Sequence, residues 1–433
     1  MDTLYDHCLT KGIDFYNEFF ILNLLFSGEH CCGTAGYNIA TCEPHVFHAK
    51  AVVLATGGSG KIFKTTSNGF ASTADGFALA MDSLIPLEDM EFVQFHPTGI
   101  YGMGILISEA ARAEGGVLRN DKGERFMEHY APSLKDLAPR DIISRAIITE
   151  IKEGRGGEGK DFVYLDLTQI GKTKLMEKLP EISSFIQTYL GIDPSETQVP
   201  VAPTCHYMMG GIPTDLDGHV VANETGSVLP GLFAVGECAC ISVHGANRLG
   251  CNSLIDLVVF GRRAGFSVVA HAKEKDLPPL PQQAESIVDD KINGLLSCSG
   301  NEHVPVLREE MQRLMTEKCS VFRNGDVLEQ ARNEICQLEK RRLNIRLDNK
   351  SRIFNCELLE AFELGNMLKT AKAIVFSALQ RKESRGAHYR SDYPERNDEQ
   401  NLRHTLVYVT PEGFKITYKP VSITRFKPQI RSY

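Results

Sequence analysis

The segment at residues 232–259 limits the possible folds of this 433-residue chain more than any other part of the sequence. Its apolar start predicts a strand that ends at Gly236-Glu237. A loop of small residues carrying Arg248 follows, and Asn252 opens an apolar helical run as its capping residue. Glycine lets a ligand approach the backbone closely, and the N–H groups of a helix N-terminus attract its electronegative edge. Because a guanidinium binds a carboxylate at two points, the segment predicts a meeting point of a planar cofactor and an anionic substrate.

A second apolar run, at residues 51–55, also stops at glycine, in the sequence Thr56-Gly57-Gly58. Its continuous apolar character predicts a strand buried on both faces. Taken singly, such glycines are more often simple chain turns. Two strand–glycine junctions with polar residues at each favour a sheet whose carboxyl edge faces a cofactor.

The composition is that of an ordinary globular protein, with 42% hydrophobic and 24% charged residues. The length predicts about two to four substructures. A net charge of −8 without a compensating basic run argues against nucleic-acid binding. No apolar stretch approaches the roughly 20 residues that a membrane span needs. The twelve cysteines show neither Cys-x-x-Cys nor a His/Cys ligand spacing, which predicts free thiols in a reducing compartment and no metal site.

The remaining segments predict a mixture of strands and helices, with a change of texture to loops and charge pairs at 91–205 and a proline-rich linker at 275–290. Asp75 is expected either to cap the helical run after it or to cap that run and also touch the cofactor. Strands are predicted at 15–26, 35–41, 46–54, 405–409 and 414–418, and amphipathic helices around 307–315, 327–338 and 358–375.

Five polar residues outside the first segment have the chemistry of a site. His96, expected at a strand end, and His206, expected in a glycine-rich turn, would each alone be read as structural. Glu109 and Arg112 share a helix face, which alone is typical of a surface ion pair. Arg140 lies in the first turn of a helix, where the dipole disfavours a cation, so an anionic partner is expected nearby. With Arg248, this set suits a small dicarboxylate in a dry pocket.

The chain closely resembles the flavoprotein subunits of succinate dehydrogenase and fumarate reductase, from about residue 4 to the C-terminus. That family oxidises succinate to fumarate on FAD and passes electrons to an iron–sulfur subunit bound to membrane anchor subunits. The motifs that carry the resemblance are Ala-Thr-Gly-Gly at 55–58, Gln-Phe-His-Pro-Thr-Gly-Ile-Tyr-Gly at 94–102, Gly-Glu-Arg-Phe-Met at 123–127, Asp-Leu-Ala-x-Arg-Asp at 136–141, His-Tyr-x-Met-Gly-Gly-Ile-Pro at 206–213, His-Gly-Ala-Asn-Arg-Leu-Gly at 244–250 and Ser-Arg-Gly-Ala-His at 384–388.

The resemblance implies an α/β fold with a partial, Rossmann-like FAD-binding domain in two parts, 1–90 and 206–272. A capping or substrate domain is inserted at 91–205. A helical bundle at 285–385 and a small C-terminal α+β domain at 386–433 follow. The implied location is peripheral to a membrane, on the cytoplasmic face of a bacterial inner membrane or the matrix face of the mitochondrial one.

The family's site residues map onto this chain by motif. Arg140 would transfer the proton, with Glu109 and Arg112 completing a relay to solvent. The substrate carboxylates would be bound by His96, Ser108, His206 and Arg248. FAD would contact Ala55, Thr56, Gly57, Gly58, Asp75, Glu237, Ser253 and Leu254.

Two departures from the family pattern stand out. Ser108 replaces a residue that is often Thr, and it retains the hydroxyl. No strand–Gly-x-Gly-x-x-Gly–helix unit opens the chain, and the histidine to which the family links FAD covalently lies outside it. We therefore expect the sequence to be an internal start, a split gene product or an incomplete sequence, and expect these residues alone to bind FAD weakly or not at all.

Two other functions remain open at this level. L-aspartate oxidase shares the Gln-Phe-His-Pro-Thr motif, although the segments 99–102 and 385–390 favour the dehydrogenase. An inactive fragment or an assembly-only binding module would keep the helical domain and bind no flavin.

Overall fold

The computed structural model describes residues 2–429, and within them the chain forms both strands and α-helices. The strands are β1 (Phe19–Ser27), β2 (His30–Asn38), β3 (Pro44–His48), β4 (Val52–Leu54), β5 (Leu87–Glu88), β6 (Val93–Ile100), β7 (Val117–Arg119), β8 (Val163–Asp166), β9 (Val199–Met208), β10 (Ile212–Pro213), β11 (His219–Val221), β12 (Val228–Ala234), β13 (Ala239–Cys240), β14 (Arg403–Thr410) and β15 (Gly413–Pro420). The α-helices are α1 (Asp2–Thr10), α2 (Asp75–Asp82), α3 (Ala110–Ala113), α4 (Met127–Tyr130), α5 (Arg140–Lys152), α6 (Lys172–Lys178), α7 (Pro180–Leu190), α8 (Asn252–Glu274), α9 (Ser286–Leu296), α10 (Val304–Lys318), α11 (Gly325–Arg342), α12 (Cys356–Gln380) and α13 (Asp398–Asn401).

The N-terminal strands form an antiparallel meander in the order β1-β2-β3. The predicted β content of 15–54 is therefore confirmed, with the third run divided into β3 and β4. A separate sheet has the order β11-β12-β4, and β4 pairs with β12 in parallel. Since parallel neighbours end at the same edge, the two strand–glycine junctions lie side by side, as predicted.

The prediction that β4 is buried on both faces is wrong. Val53 is 42% exposed, because β4 is the edge strand of its sheet and one of its faces is left uncovered. Helix α8 packs against β12 but also presents apolar residues to solvent, including Leu254, Val258 and Phe266, each at least 65% exposed. A continuous apolar run shows that a strand can be buried on both faces. Whether it is buried depends on which other segments of the protein pack against it.

The predicted substrate domain is built on a four-stranded sheet in the order β6-β9-β8-β7, with α5 packed on it. Between residues 100 and 201 the buried apolar side chains form a hydrophobic core of their own. The predicted surface loop at 153–160 contains a short 3-10 segment at Gly157–Gly159, and its Gly156 and Gly157 are buried. The ends of the predicted domain, at Val93, Phe95 and Cys205, pack in the main core of the chain, and the domain boundaries stay a prediction.

The three amphipathic helices are confirmed as α10, α11 and α12. Their apolar positions share one core with the N-terminal sheets, because Phe20 and Tyr37 contact Phe362 of α12. The predicted linker is shorter than expected, since α9 begins at Ser286. The predicted C-terminal strands are confirmed as β14 and β15, and β14 also pairs with β5, which ties the C-terminal region to the base of β6.

All twelve cysteines are free thiols, as predicted, and seven of them are buried. Burial raises the pKa of the Cys31 thiol to about 11. Within the described residues, no helix is both long enough and apolar enough to cross a membrane.

Candidate active site

His96 lies in the middle of β6, so its predicted place at a strand end is wrong, although its backbone is extended as expected. The imidazole is fully buried, and its Nδ1 accepts a hydrogen bond from the Thr98 N–H at 3.3 Å. Burial, and then the Arg140 charge, hold the His96 pKa well below its usual value, so the ring is neutral. An Nδ1 acceptor leaves the proton on Nε2, which has no hydrogen-bond partner among the described residues. His96 can therefore donate one hydrogen bond to a ligand.

His206 lies near the end of β9, not in a turn. The β6–β9 pairing passes from Gln94↔Tyr207 to Phe95↔Cys205, which leaves His206 as the extra residue of a bulge. A bulge redirects a side chain, and here it brings the His206 ring to 5.4 Å from the His96 ring. Burial, with Arg140 nearby, lowers the His206 pKa to about 3. The Ser67 hydroxyl lies 2.7 Å from His206 Nδ1 and fixes the ring.

Three buried guanidiniums surround the histidines: those of Arg112, Arg140 and Arg248. Glu109 is the anionic partner that the helix dipole predicted for Arg140, with Arg140 Nε 2.8 Å from Glu109 Oε1. Arg112 Nη2 lies 3.8 Å from the same oxygen, and the Arg112 side chain is 2% exposed, so this is not a surface ion pair. The Glu109 side chain is 40% exposed and connects the cluster to solvent.

The charges of this cluster leave a surplus of two positive charges. Arg112, Arg140 and Arg248 contribute three, Glu109 removes one, and both histidines are neutral. Arg112 Nε and Nη2 and Arg248 Nε have no hydrogen-bond partner among the described residues. Buried charges and donors are stable only when they are compensated, so this pocket is suited to a ligand with two carboxylates.

Gln94, which the sequence did not single out as a site residue, connects the arginines. Its Oε1 accepts hydrogen bonds from Arg140 Nη1 at 2.9 Å and from Arg248 Nη2 at 3.2 Å. Its Nε2 donates to the Arg248 carbonyl and to Asn247 Oδ1, each at 2.7 Å. A usable signal was present, because Gln94 precedes His96 by two residues, and such residues share one face of a strand.

Tyr207 supports Arg248 from the other side. The Arg248 guanidinium lies 4.4 Å from the centre of the Tyr207 ring, a cation–π contact. The Tyr207 hydroxyl lies 3.2 Å from His244 Nε2, and the same nitrogen lies 3.5 Å from Asp256 Oδ2 in α8. Arg248 is thus connected to helix α8.

The two strand–glycine junctions touch each other through Gly58 and Glu237. A Cβ added to Gly58 would lie 2.3 Å from Glu237 Oε1, so a larger residue would displace this carboxyl from its present position. The same oxygen accepts a hydrogen bond from the Met208 N–H at 3.0 Å. Burial raises the pKa of the Glu237 carboxyl to about 7, so it can act as donor or acceptor toward a polar ligand edge.

A pocket of about 190 Å³ is lined by Glu237 of the junction after β12 and by His206, and Leu257 and Tyr207 give it apolar walls. Helix α8 opens on this pocket, but its N-cap is Cys251 in left-handed backbone, not Asn252, and no side chain caps it. Ser253 lines the pocket, whereas Leu254, the next residue of α8, does not line it and is 65% exposed. The Ser253 side chain, a near-neutral carboxyl and apolar walls fit one end of a planar cofactor such as FAD. The residues that line the pocket are Ser67, Asn68, His206, Tyr207, Glu237, Ser253 and Leu257.

Two predicted site residues, Asp75 and Ser108, make hydrogen bonds to other residues of the protein. Asp75 is the first residue of α2, whose N-cap is Ala74, so the capping prediction is wrong. The Asp75 carboxylate accepts hydrogen bonds from Thr73 at 2.9 Å and from Asn366 of α12 at 2.8 Å, which links two parts of the fold. Ser108 accepts a hydrogen bond from the Ala110 N–H at 3.2 Å. No hydrogen bond in the described region joins Ser108 to the imidazoles or guanidiniums of the site.

The remaining predicted cofactor residues lie at the open edge beside this pocket. Ala55 and Thr56 are exposed at the end of β4, and a Cβ on Gly76 would lie 2.1 Å from Thr56 Oγ1. Gly57 has φ +72°, which glycine adopts without strain. The Ala55–Gly58 turn is therefore shaped for close approach of a ligand along the β4 edge.

Comparison with known families gives two matches. Residues 1–254 match the FAD binding domain, and residues 308–433 match the family described as Fumarate reductase flavoprotein C-term. The two matches cover the N-terminal region and the C-terminal region of the chain. In the structure, α12 and β14 of the C-terminal region pack against the N-terminal region.

Similar proteins carry consistent names. The succinate dehydrogenase flavoprotein subunit of Rickettsia bellii is 44% identical over 438 residues, covering 100% of this chain and 74% of the relative. The mitochondrial succinate dehydrogenase [ubiquinone] flavoprotein subunit of Oryza sativa is 42% identical, covering 100% of this chain and 70% of that protein. A solved E. coli quinol fumarate reductase superposes with a TM-score of 0.93 at 36% identity, covering 99% of this chain and 75% of its own.

Proposed function

This chain belongs to the flavoprotein family of succinate dehydrogenases and fumarate reductases, and we propose that its buried cationic pocket is the dicarboxylate site of an FAD-dependent enzyme that oxidises succinate to fumarate. The single observation that carries this proposal is the surplus of two positive charges around neutral His96 and His206. A dianion such as succinate compensates this surplus.

FAD is the cofactor of this family, and the pocket beside the substrate group fits it. Bound FAD supplies a hydride acceptor. Glu237 and Ser253 would hold its polar edge, with Leu254 and the Ala55–Gly58 turn beside it. Asp75 would support this wall of the site through its bond to Asn366.

The substrate carboxylates are held by donors that the fold has already desolvated. Arg248 binds one carboxylate, supported by Gln94 and Tyr207. His96 donates a hydrogen bond from Nε2 to a substrate carboxylate. His206 and Ser108, which lies two residues before the start of α3, are the other proposed carboxylate ligands. Because these donors are fixed before binding, they orient the two CH₂ groups of the substrate at little further entropic cost.

Oxidation of succinate removes a hydride from one CH₂ carbon and a proton from the other. Arg140 is proposed to accept this proton. A guanidinium is already protonated, so it can accept a proton only if it passes one on in concert. Although burial acts to raise it, the hydrogen bond from Arg140 holds the Glu109 pKa below its usual value, so Glu109 is an ionised acceptor. Glu109 then releases the proton to solvent through its exposed side, with Arg112 stabilising its charge.

Two of the solved structures that this chain resembles are named as quinol fumarate reductases, and several relatives are named as flavoprotein subunits, which supports association with further subunits. We infer that an iron–sulfur subunit receives the electrons and that membrane anchor subunits hold the complex at the membrane. The chain itself would be peripheral, at the cytoplasmic face of a bacterial inner membrane or the matrix face of a mitochondrial one.

The substrate assignment is tested with the assembled, FAD-loaded enzyme. Succinate should reduce an artificial electron acceptor, while L-aspartate should give no turnover, because an ammonium group would enter a pocket with a surplus of positive charge. The rates with the two substrates, measured under identical conditions, decide this point. Aspartate-dependent turnover without succinate turnover would reassign the enzyme to amine oxidation.

These 433 residues alone are expected to bind FAD weakly or not at all. The sequence contains no strand–Gly-x-Gly-x-x-Gly–helix unit for the pyrophosphate, because its one such glycine spacing, at 154–159, follows helix α5 and precedes a strand. In the described part of the chain, β4 also lies at the edge of its sheet. Titration of the purified chain with FAD, followed by flavin fluorescence, measures the affinity. A preparation that is yellow, with flavin retained through gel filtration, would contradict this prediction.

A further inference from the structure

The loop at residues 241–251, here called the Arg248 loop, connects β13 to α8 without regular secondary structure. Its geometry therefore depends on contacts with other segments, since it has no ladder of backbone hydrogen bonds. One side is fixed by Gln94 and by Asn247, whose Nδ2 donates to Asp141 Oδ1 at 2.9 Å. The opposite side of the loop faces residues from the C-terminal region.

A tight turn at residues 385–388 touches the Arg248 loop directly. The Ala387 N–H donates to the Ala246 carbonyl at 2.9 Å, and Ala246 and Ala387 pack together against the aromatic cluster that contains Tyr207. Gly386 has φ +56°, and a Cβ there would lie 2.4 Å from the Ala246 oxygen. Only glycine permits this approach between the turn and the loop.

The turn is itself held by buried charged groups. The His388 ring is fully buried, with Nδ1 2.8 Å from Arg323 Nη1 and Nε2 3.1 Å from the Arg381 carbonyl. Burial, and then Arg323, keep the His388 pKa well below its usual value, so Nδ1 accepts and Nε2 donates. Arg323 Nη1 also donates to the Glu91 carbonyl at 2.6 Å, just before β6. The turn and the strand of Gln94 and His96 therefore share one anchor.

A second C-terminal contact reaches the loop six residues before Arg248. His404 Nε2 lies 3.3 Å from the Ser242 hydroxyl, and Ser242 has left-handed backbone with φ +69°. The other nitrogen of His404 lies 2.7 Å from Asp89 Oδ2. A strained loop residue is thus tied to β14 and, through it, to the base of β6.

We propose that the 385–388 turn and His404 form a clamp that positions Arg248 for carboxylate binding, an inference that rests on the proposed function of this pocket. Gly386, Ala387, His388 and His404 are positioning residues, since they act through the Arg248 loop and do not touch the pocket. The C-terminal region is in this way part of the substrate site, although it contributes no side chain to it.

Gly386→Ala in the assembled enzyme tests the clamp. The added methyl group should push the Arg248 loop away and raise the succinate KM about tenfold, while kcat changes less than about twofold. Malonate, a dicarboxylate that cannot be oxidised in this way, reports binding alone, and its Kd should also rise about tenfold. Hydrogen exchange should accelerate in residues 241–251 and stay unchanged in β6. Gly294→Ala, at a helical position where a Cβ meets open space, is the matched control.

A milder variant, Ser242→Ala, removes one contact of the clamp without changing the turn. The succinate KM and the malonate Kd should each rise by about two- to tenfold, which is the range expected for one lost hydrogen bond. If both folded variants keep wild-type constants and wild-type exchange at 241–251, the clamp is wrong. Failure of the unmodified enzyme to bind malonate would instead overturn the proposed function, and accelerated exchange at 241–251 in Gly386→Ala would still support the clamp.

Discussion

Arg140→Lys in the assembled enzyme should lower succinate turnover by at least about a hundredfold while flavin absorbance stays at the wild-type level. Lysine keeps the positive charge but loses the planar fork that reaches Glu109 from Nε and Gln94 from Nη1. The proton then has no concerted path to solvent. Steady-state rates with succinate, normalised to the flavin absorbance of each preparation, measure the effect.

Arg145→Lys on the same helix is the matched control. Arg145 pairs with Asp141 at 3.1 Å and stacks on Tyr389, outside the substrate group, so turnover should stay near the wild-type value. Near-normal turnover in the Arg140 variant would remove Arg140 from the mechanism. A loss of flavin absorbance in that variant would instead assign Arg140 to cofactor retention and contradict the prediction.

Gln94→Glu should raise the succinate KM by about a hundredfold, corresponding to about 2.7 kcal/mol of binding free energy. The new carboxylate lowers the positive surplus of the pocket from two charges to one and pairs with both Arg140 and Arg248. It also cannot donate to the Arg248 carbonyl or to Asn247 Oδ1, so both acceptors lose their partner. Initial rates over a range of succinate concentrations give the KM.

Gln187→Glu, at an exposed position on α7, controls for the change in net charge. Gln94→Met separates the two causes, because it removes the hydrogen bonds without adding a charge, and its KM should rise less. An unchanged KM in Gln94→Glu would show that the pocket does not depend on its charge surplus. The dicarboxylate assignment would then lose its main support.

Local patterns in the sequence were sufficient for the helices α10, α11 and α12 and for the strands β14 and β15, because their apolar spacing follows the period of the element. The dipole argument at Arg140 also held, since it concerns a helix end and the nearest charge, here Glu109. The roles assigned to Ser108 and to the FAD contacts came from motifs alone and stay predictions.

Where the sequence misled, the cause lay in contacts between distant residues. The Asp75 carboxylate is bound by Asn366, 291 positions away, so its surroundings could not be read from the adjacent helix. His206 was expected in a turn because glycines follow it, but a bulge against β6 keeps it in a strand and turns its ring toward His96. The alternation of residues along a strand predicts which face each side chain occupies, and a bulge shifts this alternation by one residue.

The sequence by itself determined the chemistry of this protein: the two strand–glycine junctions, the set of arginines and histidines, and the family to which they belong. Only the tertiary structure decided how these groups act together. Gln94 between Arg140 and Arg248, and Gly386 against Ala246, are contacts between segments more than 40 residues apart. Residue type and spacing carry local preferences, whereas the pairing of distant segments is decided by burial of the whole core, which joins β1 to α12 and sets the C-terminal turn against the Arg248 loop.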